Sequence, residues 1–187
     1  MKELTELIFI LDRSGSMAGL EKDTIGGYNS LIEKQKGEKG RARVTTVLFD
    51  HEVEFYQDGV PLEEAGTMTE KDYFVRGSTA LLDAVGRTVS HVRHVQACSE
   101  MPGKTICVIT TDGMENSSRE FDYETVKAMI TRLQKEEGWE FLFLGANIDA
   151  AEAGGRMGIG KAEVLCCKIA ATAEMPRGSS PTRAGAM

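Results

Sequence analysis

The side chains best suited to chemistry in this sequence lie in three separated pieces. Asp12-Arg13-Ser14-Gly15-Ser16-Met17 follows a short apolar run. Gly77-Ser78-Thr79 precedes a segment of helical period, and Asp112-Gly113 follows a second apolar run. The main set is two carboxylates, Asp12 and Asp112, and three hydroxyls, Ser14, Ser16 and Thr79. All are hard oxygen donors, the ligand type that a hard divalent cation takes. Each piece alone has an ordinary structural explanation. Asp12 suits a helix cap, Ser14 and Ser16 suit bonds to loop amides, and Asp112-Gly113 suits a turn. Their coincidence needs a fold that brings them together.

The elements around them supply one. Leu7–Leu11 is a continuous apolar run, the pattern of a strand covered on both faces. Ile25, Tyr28, Leu31 and Ile32 share one side of a following helix. Val44–Phe49 and Val53–Tyr56 predict two strands joined so tightly that they must be antiparallel. Leu81, Leu82, Val85, Val89 and Val92 mark another helix, and Ile106–Ile109 the next buried strand. Asp122 is placed to cap a helix that carries Tyr123, Val126, Ile130 and Leu133 inward. A strand over Trp139–Leu144 and a short Ala-rich helix within Asn147–Met157 complete the series.

Strands alternating with helices predict an α/β fold: a Rossmann-like, doubly wound, mostly parallel sheet with one antiparallel edge strand and helices on both faces. Right-handed crossovers bring the carboxyl ends of its parallel strands to one edge, where open sheets bind ligands. The chain is expected to form one domain over 1–171, with a tail over 172–187 that is disordered. The Gly, Ser, Pro and Arg content of Pro176–Met187 supports that expectation.

In order and approximate spacing, Asp-x-Ser-Gly-Ser after a buried strand, Gly-Ser-Thr before a helix and Thr-Asp-Gly after another strand resemble the metal-ion-dependent adhesion site of von Willebrand factor A domains. The resemblance runs from about Leu4 to Ile159, and its intracellular bacterial-type members are the nearest in character. It implies that Ser14, Ser16 and Thr79 give hydroxyl oxygens to Mg2+ or Mn2+, with Asp12 and Asp112 around the ion, commonly through water. Direct ligands that are mostly neutral hydroxyls leave the ion electrophilic. A protein partner's Asp or Glu carboxylate then completes its shell. Around this set, Arg13 is expected to face solvent and, with Met17 and the loop at Ser78, to contact the partner. Asp83 is placed to accept from a loop amide or a ligand, and Gly113 to allow a tight turn.

The implied function is a noncatalytic, metal-dependent protein-interaction module. The alternative is a Mg-dependent phosphoryl-transfer or hydrolytic enzyme that uses the same acids. It needs a positioned base and cationic clamps, and Arg13 and Arg76 are the only nearby cations. A net charge of −7 argues against nucleic acid or an anionic membrane as partner. Leu7–Leu11 falls far short of the roughly 20 residues of a membrane span and is too short for a signal core. Four cysteines without metal-type spacing point to reduced thiols and a cytoplasmic location, with Cys107 buried in its strand. Gly155–Ala162 nearly matches a phosphate loop, but Ala162 stands where Ser or Thr must hold magnesium. His91 and His94 point away from their helix's apolar stripe and are expected in solvent, and His51 has no evident partner.

Overall fold

The computed structural model describes residues 3–112, 114–145, 148–160 and 164–166. Its first strand, β1 (Leu4–Asp12), is buried almost end to end because both of its faces are covered. Leu7, Phe9 and Leu11 enter a core with Tyr28, Ile32 and Tyr73, while Ile8 and Ile10 enter a second core with Leu81, Val85, Val126 and Phe141. A side-chain period of two on a strand buried from both sides produces the unbroken apolar run.

A single 3-10 turn at Gly15–Met17 leads to helix α1 (Glu21–Lys36), which covers the first face. Strands β2 (Arg41–Phe49) and β3 (Val53–Pro61) form the antiparallel hairpin. Helix α2 (Leu81–Cys98) packs on the second face, followed by β4 (Lys104–Thr111). Helix α3 (Tyr123–Glu136) begins at Asp122, whose side chain accepts from the Thr125 amide at 2.8 Å as expected of an N-cap. Then come β5 (Glu140–Gly145), α4 (Ile148–Arg156) and β6 (Val164–Cys166).

The six-stranded sheet has the order β3-β2-β1-β4-β5-β6, with only β3 antiparallel to its neighbour. This is the anticipated fold class. From β1 the chain winds first toward β2 and later toward β4, so the order reverses between β1 and β4. Their carboxyl ends, at Asp12 and Thr111, flank that switch point, the usual ligand crevice of such sheets.

Several details differ from the sequence expectation. β3 runs on to Pro61, accommodated by register shifts near Thr46 on its partner strand. β6 has no counterpart in the expected elements. His91 is half-buried rather than solvated. Its Nε2 lies 2.9 Å from both Asp58 oxygens, and its ring meets Phe55 edge-on at 4.6 Å between centroids. His94 is exposed, as expected. His51 does have a partner, with Nδ1 3.3 Å from Asp50 Oδ1. Gly155 lies inside α4, so the near phosphate-loop pattern starts in a helix rather than in a strand-to-helix loop. Lys161, Ala162 and the tail lie outside the described residues. Among those described, no helix is long and apolar enough to cross a membrane.

Candidate metal centre

Asp12 ends β1 with no solvent exposure. The parallel register that sets Leu11 beside Thr110 brings the next residues of both strands together. Thr111 Oγ1 accordingly donates to Asp12 Oδ2 at 2.6 Å. As the chain turns out of the sheet, the Ser14 amide donates to Asp12 Oδ1 at 2.7 Å. Beneath the turn, the Tyr73 hydroxyl donates to the Asp12 carbonyl.

The hydroxyls converge above this base. Ser14 Oγ lies 2.9 Å from Ser16 Oγ and 2.9 Å from Thr79 Oγ1. Ser14 and Thr79 are buried, whereas Ser16 is exposed at the mouth. Asp112 is half-buried just beyond β4 and bonds with Ser16. Burial raises the carboxyl pKa of both acids. For Asp12, bonds from Thr111 and Ser14 oppose that shift and the charge of Asp112 adds to it. For Asp112, the bond with Ser16 opposes it. Two repelling carboxylates beside three hydroxyls are a donor set that a divalent cation fits.

Thr79 is held from two sides. Its amide donates to Asn116 Oδ1 at 2.8 Å, and its carbonyl accepts from the Asn116 and Ser117 amides at 3.0 and 3.2 Å. Just before it, Gly77 has φ +67, and a Cβ there would collide with His51. The Gly77 carbonyl accepts from the Gly15 amide at 3.0 Å, which ties the second piece of the site to the first.

Two of the expected partner contacts are corrected. Arg13 is buried, not solvent-facing. Its Nε donates to Asp50 Oδ2 at 3.0 Å, its Nη2 lies 2.8 Å from Glu54 Oε2, and its guanidinium sits 5.7 Å from the Phe74 ring centre. The physical reason is the pair of acids beside it, Asp50 in the β2–β3 turn and Glu54 at the start of β3, which take up its guanidinium. Met17 is also buried, at the end of the 3-10 turn. Ser78 is exposed beside Thr79. Asp83 is buried and accepts three backbone amides, from Arg119, Glu120 and Phe121, each at 2.9 Å. It anchors the loop that follows Asp112. Gly113 lies outside the described residues.

Thr111, Tyr73, Asp50, Glu115 and Asn116 were not among the residues expected here. All act by tying segments distant in sequence, and for all but Thr111 no local motif exists. Thr111 had a signal: it directly precedes Asp112 at the end of a buried strand.

No protein-family model and no curated protein matches this sequence. Solved structures do match its fold. The manganese-loaded TRAP protein of Plasmodium vivax aligns with a TM-score of 0.58 and 16% identity over 82% of this chain and 63% of that one. The vWF domain of the type V pili tip protein Mfa5 from Porphyromonas gingivalis aligns at 0.57 with 12% identity, over 88% of this chain and 90% of that one. A von Willebrand factor type A structure from Catenulispora acidiphila aligns at 0.57 with 15% identity, over 77% of this chain and 33% of that one. This chain thus spans less than two thirds of the TRAP and Catenulispora chains. With its sheet order, its single antiparallel strand and these neighbours, the chain has the fold of a von Willebrand factor A domain.

Proposed function

We propose that this protein is a noncatalytic, metal-dependent protein-interaction module. Ser14, Ser16 and Thr79 hold Mg2+ or Mn2+ directly, Asp12 and Asp112 hold it largely through water, and an Asp or Glu of a protein partner completes the shell. The carrying observation is the pair of 2.9 Å separations from Ser14 Oγ to Ser16 Oγ and Thr79 Oγ1. Magnesium–oxygen bonds of about 2.0–2.1 Å in an octahedron put neighbouring ligand oxygens about 2.9 Å apart, whereas calcium bonds of about 2.3–2.6 Å spread them to about 3.3–3.7 Å. Ser14, Ser16 and Thr79 are hydrogen-bonded to one another at this spacing, and a magnesium shell takes up the same oxygens without spreading them. The manganese-loaded state of the TRAP neighbour is in keeping with this.

The hydrolytic alternative loses its clamps here, because Arg13 and Arg76 both bind Asp50. A cytoplasmic setting accords with Cys98 and Cys107 as free thiols.

Titration calorimetry with Mg2+ and Mn2+ tests the centre. One site is expected, and at 100 times the dissociation constant the metal should stabilise the fold by about 2.7 kcal/mol. Folded protein that takes up no metal at millimolar concentration would overturn the proposal. A pulldown from the source cells, run with magnesium and then with chelator, tests the partner, whose capture should vanish on chelation.

A further inference from the structure

Beside the metal centre lies a second cluster of charges that does not enter it. Asp50, just after β2, is fully buried. Its Oδ2 accepts from Arg13 Nε at 3.0 Å and Arg76 Nε at 2.6 Å, and its Oδ1 accepts from the Glu52 amide at 2.8 Å. Arg76 Nη2 also donates to Glu52 at 2.8 Å. Burial alone would raise the Asp50 pKa, but these bonds and the Arg13 charge outweigh it and hold the carboxyl below its ordinary value.

The backbone repeats the connection. The Arg13 amide donates to the Phe49 carbonyl at 2.7 Å, the Arg76 amide to the Arg13 carbonyl at 2.8 Å, and the Ala80 amide to the Asp50 carbonyl at 2.8 Å. The two segments so joined are those that carry the direct metal hydroxyls. Arg13 adjoins Ser14. Arg76 and Ala80 bracket Thr79.

Stability alone explains such a cluster poorly. Desolvating charges costs about as much as their pairing returns, and apolar replacements are often neutral or better. Fixed geometry is what a buried carboxylate gripped by two guanidinium groups supplies in addition. We propose that Asp50 is a positioning residue: through Arg13 and Arg76 it sets the distance between the Ser14 and Thr79 hydroxyls, and so the ion size that the centre prefers. This rests on the metal-binding function proposed above.

The test measures Mg2+ and Ca2+ affinities of the full chain by calorimetry, with a thermal melt of each protein in chelator. Asp50→Asn keeps the side chain's size and removes its charge. It should weaken Mg2+ at least tenfold while Ca2+ changes little, so that the Mg:Ca preference collapses. Arg76→Gln alters a side chain that is 41% exposed and should shift the preference in the same direction by a smaller factor. It carries the test if Asp50→Asn does not fold. Glu6→Gln is the control, a buried carboxylate that pairs with Arg43 toward the other end of β1. It should alter the melt and leave the preference unchanged. A wild type that binds no metal overturns the proposed function itself. A wild type that binds Mg2+, with folded Asp50 and Arg76 variants whose Mg:Ca ratio stays within twofold, overturns the positioning role alone, whatever their melts. Equal collapse in Glu6→Gln also overturns it, since destabilisation anywhere would then suffice.

Discussion

At the scale of single residues, the centre depends on small groups with no room to spare. Thr79 is buried and its hydroxyl meets Ser14. Thr79→Ala should therefore abolish Mg2+ uptake in calorimetry while the circular dichroism spectrum stays unchanged, and Thr79→Ser should retain uptake. Gly77 is constrained twice, by its left-handed φ and by His51 against it. Gly77→Ala should lower stability in a denaturant melt by about 1–2 kcal/mol from the backbone alone, plus the collision. Adding His51→Ala should recover only the collision. A double variant as stable as wild type would show that the φ carries no strain. That these acids and hydroxyls come together was legible in the sequence, because their types are unusual together. The directions of Arg13 and Met17 were not, because spacing along a loop does not say which side the chain turns toward. The burial of Arg13 depends on Asp50 and Glu54, some 40 residues away in the chain.

At the scale of elements, the weak point is the start of α2. Its N-cap position is Ala80, which offers no side-chain acceptor, so the free amides of the first turn need partners from elsewhere. The loop after β4 provides them. Glu115 Oε2 accepts from the Leu82 amide at 2.9 Å, and Ser118 Oγ from the Asp83 amide at 3.0 Å. Asp83 returns the favour to three amides of that loop, and Phe121 packs so closely on Gly86 that a Cβ there would collide with its ring. Helix and loop thus hold Thr79 and Asp112 in one frame. Asp83→Ala leaves three amides without their acceptor. It should cost about 1–3 kcal/mol in urea unfolding and weaken metal binding as well, although Asp83 is not placed as a ligand. A variant with normal Mg2+ affinity would show that the frame is not needed. The helices were legible from their period of 3.6 and the inner strands from their continuous apolar runs. This loop was not, since side chain-to-backbone bonds have no period and its Glu-Asn-Ser-Ser run looks like any polar turn.

At the scale of the whole molecule, the strand order does the assembling: it seats β1 beside β4 and so joins pieces of chain about 100 residues apart. Alternating elements and right-handed crossovers placed the carboxyl ends of the parallel strands on one edge, but they did not give this order. β6 was not legible either, because three residues are too few to show a pattern. Two of the carboxylates buried in or beside this sheet, Glu6 and Asp50, have environments that act in opposite directions. Burial dominates at Glu6 and raises its pKa from the ordinary 4.5, despite the Arg43 bond and charge and a bond from Gln96. At Asp50 the combined donors overcome burial and lower it from 3.8. Linkage then fixes the signs. Glu6 contributes stability that is complete below pH 4.5 and is lost as pH rises through its raised folded value. Asp50 contributes stability that is complete above 3.8 and is lost as pH falls through its lowered folded value. Denaturant midpoints across this acid range, in chelator so that metal linkage is absent, separate the two. The advantage of wild type over Glu6→Gln should shrink as pH rises toward neutrality. Its advantage over Asp50→Asn should instead shrink as pH falls below 3.8. Slopes of the same sign in both series would mean that one carboxylate is held otherwise than described, and a flat Glu6 series would mean that Arg43 fully offsets its burial.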